Sequence, residues 1–183
     1  FFHEPIWWLF VGWMPIYLAA TYGFNVKEIG AFAWVPYVGA ALGSVAGGWY
    51  SGKLIASGKA VGVARKTAIT IGSSLMFLGL VSTIFFADTP EKFVGIVAIV
   101  LFGFQFSIGN IQTIPSDILK GSSVASLAGM GGTVGVFSVI IMNFLIPIFT
   151  SQSFTPAFVI IALFVPLGVL AVFFFGGKLE SVK

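Results

Sequence analysis

Cysteine is absent from the 183 residues and histidine occurs once. No disulfide framework, thiol nucleophile or cysteine metal site can be built, and one His is too few for zinc chemistry. Charge is almost as scarce: 8% of residues are Asp, Glu, Lys or Arg, against roughly a quarter in a soluble domain. Nine cations and six anions cannot coat a soluble globule of this size, which excludes a soluble enzyme or nucleic-acid-binding module. What fills the chain instead is apolar, with 58% hydrophobic and 16% aromatic residues and a mean hydropathy of +1.06. That balance belongs to a membrane protein. A span and its short loop take about 30 residues, so the length predicts about six transmembrane helices. The chain starts at Phe1, as expected of a piece of something longer. No basic segment precedes a short apolar stretch, so no cleavable signal peptide is expected.

Polar punctuation marks six apolar stretches: 1–22, 29–50, 67–87, 93–116, 124–149 and 154–175. Each has about 20 residues or more, enough at about 1.5 Å per residue to cross a hydrocarbon core of about 30 Å. The stretches do not alternate in hydrophobicity as barrel strands do. Lipid also leaves no partner for unpaired backbone groups. The expected fold is therefore an all-α membrane protein, one six-helix transmembrane bundle over residues 1–183.

Basic residues orient that bundle. The connection 51–66 holds Lys53, Lys59, Arg65 and Lys66 with no acid, and the tail holds Lys178 and Lys183 against Glu180. Lys27 stands beside Glu28, and Lys92 faces Asp88 and Glu91. By the positive-inside rule, the side bearing the 51–66 connection and both termini is cytoplasmic. A nucleic-acid patch is the weaker reading of 51–66, because interleaved aromatics and an extended basic face are missing.

The fourth stretch carries most of the polar side chains placed inside the membrane. At about 100° per residue, Gly109, Gln112 and Ser116 fall within about 40° of Gln105, and Thr113, Asp117 and Asn110 widen the arc to about 140°. Such a face turns to a water-filled cavity or to a polar partner helix. Amides can also serve as hydrogen-bond glue between helices, at about 1 kcal/mol each. Both readings stand; four aligned polar groups favour the cavity. Gly39, Gly43 and Gly47 repeat every fourth residue in the second stretch, and Ser122, Ser126, Gly129 and Thr133 form a small-residue stripe in the fifth. Such stripes let helices approach closely.

In the first stretch, Pro15 is expected to kink or break the helix, as in the discontinuous helices that line transporter sites. Glu4 suits the first turn, where the helix dipole favours an anion, and His3 is expected at the interface. Asn143 stands deep in the fifth stretch without an obvious partner. No acidic pair, Ser/His/Asp set or phosphate-cradling glycine loop is present, so no enzyme, metal or cofactor is expected.

Taken in order, the motifs resemble a known family. Phe1-Phe2-His3-Glu4-Pro5-Ile6-Trp7-Trp8 with Trp13-Met14-Pro15-Ile16-Tyr17-Leu18 is similar to the seventh helix of hexuronate transporters, in the anion:cation symporter branch of the major facilitator superfamily. Gly47-Gly48-Trp49-Tyr50-Ser51-Gly52-Lys53-Leu54-Ile55 with Ala64-Arg65-Lys66 resembles the connection between helices eight and nine. Asn110-Ile111-Gln112-Thr113-Ile114-Pro115-Ser116-Asp117 resembles the tenth helix, and Val124 to Gly135 the eleventh. The chain departs from the family at Gly52, where Asp is usual, and at Ile118-Leu119-Lys120, where Pro tends to follow the Ser-Asp pair.

The resemblance implies the C-terminal six-helix half of a twelve-helix symporter in a bacterial inner membrane. Its partners would be a small organic anion, a proton, the lipid bilayer and a missing N-terminal half. It implies proton-driven uptake of sugar acids such as galacturonate or glucuronate by alternating access. The residues it implies for substrate binding are Gln105, Asn110, Gln112 and Thr113, with Trp13 and Tyr17, and then Ser126 and Thr133. Lys53, Arg65, Lys66 and Asp117 are implied in gating the cytoplasmic side. The alternative of a different class is an oligomeric six-helix scaffold or channel-like protein.

Overall fold

A computed structural model describes residues 1–150, 153–177 and 179; Lys178, Glu180 and Lys183 of the tail lie outside the described residues. Among the described residues there are eight helices and no strand: α1 (Glu4–Tyr22), α2 (Val26–Phe32), α3 (Val35–Ala56), α4 (Val61–Phe86), α5 (Pro90–Gln112), α6 (Ile114–Ile118), α7 (Ser122–Phe149) and α8 (Thr155–Phe175). Among the described residues, five stretches are long and apolar enough to cross a membrane: Val26–Ala56, which runs through the α2–α3 break, Val61–Phe86, Pro90–Ile118, Ser122–Phe149 and Thr155–Phe175. The first stretch differs. α1 has 19 residues, about 28 Å at 1.5 Å each, but with Glu4, three Trp, two Tyr and two Pro it is not among the five. It also runs through Pro15 without interruption.

The helix ends are set by local chemistry. Asn25 Oδ1 accepts from the backbone N–H of Lys27 and Glu28 at 2.9 and 3.1 Å, while Glu28 Oε2 accepts from Asn25 N–H at 2.8 Å. This capping box satisfies donors that a helix start leaves free. α3 and α4 run further than the apolar stretches suggested, so the turn between them shrinks to residues 57–60. Lys53 thus belongs to the last turn of α3, and Arg65 and Lys66 to the second turn of α4. Charged side chains at a helix end read as loop in a hydropathy count, yet the helix continues because its backbone bonds are internal wherever it lies.

α5 forms the centre, packed along its length between α3 and α4. The α3 contact needs glycine: a Cβ at Gly39, Gly43 or Gly47 would collide with the carbonyl oxygens of Ala98, Phe102 and Phe106 of α5. On the other side of α5, Gly103 meets the backbone of Gly72 and Met76 in α4. Close backbone approach brings many atoms into dispersion contact, the main force between helices in lipid. α8 packs on α4, and α1 on α5 and α7. Aromatic rings join α1 to its neighbours: Trp7 stacks on Phe104 with centroids 5.5 Å apart, and Tyr17 on Phe93 at 4.3 Å. His3, expected at the interface, is buried instead and shares a 3.3 Å hydrogen bond with Ser73 of α4. Many large apolar side chains point outward, Val45 at 73% and Phe144 at 75% exposure among them. In water they would form adhesive patches; they suit a lipid environment.

Candidate functional site

Two polar regions can be built from these helices. The first lies at the end of the bundle where α3 finishes and α4 begins. α5 stops at Gln112 and the chain restarts as α6, with Pro115 in its first turn. Proline has no N–H to donate and is tolerated in a first turn. The restart sets Asp117 beside Arg65 of α4. Arg65 Nε donates to Asp117 Oδ2 at 2.8 Å and Nη2 to Oδ1 at 3.4 Å. Its Nη1 donates to Ser51 Oγ of α3 at 3.0 Å and to Asn110 Oδ1 of α5 at 3.1 Å. Asn110, 2% exposed, donates from Nδ2 to the carbonyls of Gly47 at 3.2 Å and Phe106 at 2.9 Å. One guanidinium therefore ties four helices together. Its planar fork suits a carboxylate better than an ammonium would. The ion pair is partly screened, with 16% and 20% of the two side chains exposed.

Of the four residues expected in gating, Arg65 and Asp117 meet here and the lysines do not. Lys66 donates to the Gly177 carbonyl and lies 5.1 Å from the Phe173 ring centroid, binding α4 to the end of α8. Lys53 lies over the exposed Trp49 ring at 5.0 Å. Ser51 was missed in the sequence, although it continues the every-fourth-residue series of Gly39, Gly43 and Gly47.

The second region is the open face of α5 and α7. Gly109 and Gln112 are exposed and Gln105 is half-buried. Among the described residues neither glutamine side chain makes a hydrogen bond. Thr113 Oγ1 donates to the Asn110 carbonyl at 3.0 Å, Ser126 Oγ to Ser122 at 3.3 Å, and Thr133 Oγ1 to Gly129 at 2.9 Å. Each hydroxyl donates to its own helix and keeps acceptor capacity for another group. The first half of α7 is exposed almost throughout.

Gln112 opens into a cleft of about 710 Å³ between α1, α5, α7 and α8, whose walls include His3, Glu4, Ile111, Gly131 and Gly168. Tyr17 lies at the opposite end. There it borders a cleft of about 640 Å³ with Thr21, Thr83 and Asp88, and its ring meets Phe93, Phe154 and Phe158. Trp13 is half-buried against the core. The eight residues expected to bind substrate thus divide. Gln112, Ser126 and Thr133 lie on open surface, Gln105 is half-buried, Thr113 is half-buried at the α5–α6 break, Trp13 packs against the apolar core, and Tyr17 sits among aromatic rings. Asn110 faces Arg65. Asn143 is exposed on α7 without a hydrogen bond among the described residues.

No family model matches the chain. Individual proteins do. The chain is 30% identical over 187 residues to a hexuronate transporter of Escherichia coli (strain K12), an alignment covering 94% of this chain and 40% of that protein. It is 42% identical over 78 residues to a galacturonate transporter of Dickeya chrysanthemi, covering 42% of this chain and 22% of the other. A probable galactarate/D-glucarate transporter of Escherichia coli (strain K12) is 27% identical over 188 residues, covering all of this chain and 41% of that protein. The chain spans about two fifths of the length of the hexuronate and glucarate relatives it matches.

Proposed function

The chain belongs to the sugar-acid transporters of the major facilitator superfamily, and from that membership we propose that it forms the C-terminal six-helix half of a proton-coupled hexuronate carrier. α1 is the sixth span in this reading, made stable in the membrane by packing on α5 and α7 rather than by hydropathy alone. In this reading the end bearing the Arg65 cluster and the end of α8 face the cytoplasm, as the loop lysines favour, while Phe1, whose carbonyl accepts from Ser138, sits partway along α7.

The observation that carries the proposal is the open face of α5, in a chain aligned over nearly all its length with a hexuronate transporter. Gln105 and Gln112 each offer an amide that can donate and accept at once, a match for vicinal sugar hydroxyls. Burying an unpaired amide costs about 1–3 kcal/mol. A face left unpaired within this chain is therefore poised to gain when a second half and a substrate cover it. Of the described acids, Glu28, Asp88, Glu91 and Asp117 lie in or near the ends of the bundle, while Glu4 packs beside Gly135, midway along α7, and lines the Gln112 cleft. In this reading, as the family resemblance implies, charge recognition of the carboxylate and most of the proton coupling fall to the other half. The Arg65–Asp117 cluster acts as a latch that holds α3, α4, α5 and α6 together at the cytoplasmic end while the halves rock. The Gln105–Gln112 face suits transport and not group transfer, because it presents no nucleophile or acid–base pair.

The test is uptake of labelled galacturonate by proteoliposomes holding the intact protein, with and without an inward proton gradient. Gradient-dependent accumulation competed by glucuronate is expected. A folded protein that accumulates neither sugar acid would overturn the hexuronate assignment.

A further inference from the structure

The lysines of the two ends are treated differently. At one end Lys92 is bonded to Asp88 at 2.8 Å and Lys27 stands next to Glu28. At the other end Arg65 is matched by Asp117, but Lys53 and Lys59 are exposed and have no acidic partner among the described residues. No Asp or Glu occurs between Glu28 and Asp88, so α3 and α4 supply none.

Lys53 and Lys59 share one tight turn. Gly58, at φ +88°, closes α3 by donating to the Ile55 carbonyl at 2.9 Å, while Lys59 N–H donates to Leu54 at 3.1 Å. This paired pattern is a Schellman cap, and its left-handed residue favours glycine. Trp49 stands one turn before Lys53, 64% exposed, with the ammonium over its ring at 5.0 Å. Its indole N–H has no acceptor among the described residues. Below it on the same helix face lie Val45, Leu42 and Val38, exposed by 73%, 60% and 46%. From Val38 to Lys53 the strip runs about 22 Å at 1.5 Å per residue, comparable to an acyl chain.

We propose that the α3–α4 turn is a binding site for an anionic phospholipid, with Lys53, Lys59 and the Trp49 indole holding the phosphodiester headgroup and the Val45–Leu42–Val38 strip taking an acyl chain. A cationic pair above an apolar track fits a lipid better than a free anion, which would gain nothing from the track. Tryptophan is at home at headgroup level, and unpaired lysines near an anionic surface add attraction one by one.

The site is tested on the intact protein, stripped of lipid and titrated with phosphatidylglycerol or phosphatidylcholine of the same acyl chains, with retention read by native mass spectrometry. Wild type should prefer phosphatidylglycerol. The Lys53→Gln/Lys59→Gln variant should lose at least about fivefold of that preference, the Lys53→Arg/Lys59→Arg variant should keep it, and Lys27→Gln/Lys92→Gln should leave it unchanged. No preference in wild type, or full preference in the double Gln variant, would overturn the site; so would coverage of the strip by the other half, which would remove retention altogether. Displacement of the lipid by millimolar inorganic phosphate alone would assign the lysines to a free anion instead. Because retention is read without transport, its outcome is separate from that of the uptake assay.

Discussion

Helices α3 and α7 carry the same kind of signal, small residues every third or fourth position, and the fold uses them in opposite ways. Gly39, Gly43 and Gly47 of α3 lie against α5 so closely that no side chain fits. Ser122, Ser126, Gly129 and Thr133 of α7 are exposed, and a Cβ at Gly129 would meet nothing within 4 Å. Small residues permit close approach; a partner surface decides whether it happens. For α3 that surface is a helix of this chain. For α7 the proposed surface belongs to the other half, so the stripe stays open here beside Gln112. The bundle thus has a welded part, α3–α5–α4 with the Arg65 cluster at its end, and an open part, formed by α7 and the free face of α5.

The largest effect should come from filling the welded contact. Gly43→Ala puts a methyl group against the Phe102 backbone, which cannot step aside, and should cost about 1–3 kcal/mol and lower the amount of folded protein in membranes. Gly131→Ala on α7, where a Cβ has open space, should leave the melting temperature within error. Equal losses in both variants would erase the contrast.

Next is the polar end of the welded part. Asn110→Leu takes an acceptor from Arg65 and a donor from the Gly47 carbonyl, which should cost about 1–3 kcal/mol in denaturant melts of the intact protein. Asp117→Asn keeps the shape and removes the countercharge, so a smaller loss is expected, accompanied by faster hydrogen exchange in α6. An unchanged melt for Asn110→Leu would show that the cluster does not bind the helices together.

The smallest effect belongs to the opposite end. The hydrogen bond from Lys92 holds the Asp88 carboxyl below its usual range. A depressed value means that any stabilisation is present above the unfolded carboxylate pKa and fades as pH falls through the folded one. The pair is exposed at 65% and 57%, so water screens it. Asp88→Asn should leave the melting temperature unchanged at neutral pH, and a measurable drop would mean that this end is more tightly built than its exposure suggests.

Much of this architecture was legible in the sequence because the membrane leaves few options. Apolar stretches between polar breaks located the long helices, and the Gly39–Gly43–Gly47 series announced a close contact. Less legible was anything that depends on a partner. The helical projection placed Asn110 and Gln112 on one polar arc, yet α4 approaches one flank of it, so Arg65 takes Asn110 and leaves Gln112 open. A projection of one helix carries no information about which neighbour covers which flank. Lys53 and Arg65 looked like loop residues because hydropathy falls where charge begins, although both helices continue through them. The Asn25–Glu28 capping box is readable from its spacing. His3, a lone polar residue among aromatics, gave no hint that Ser73, seventy positions on, would meet it.

Whether the open part serves the sugar acid is the central question, and binding of galacturonate to the intact protein answers it most directly. Isothermal titration should give an affinity for Gln112→Leu weaker by about tenfold, one hydrogen-bonded group's worth, with Thr113→Val affected less and both variants melting like wild type. Unchanged affinity in Gln112→Leu, with the protein folded, would contradict the account and return the polar arc of α5 to a packing role.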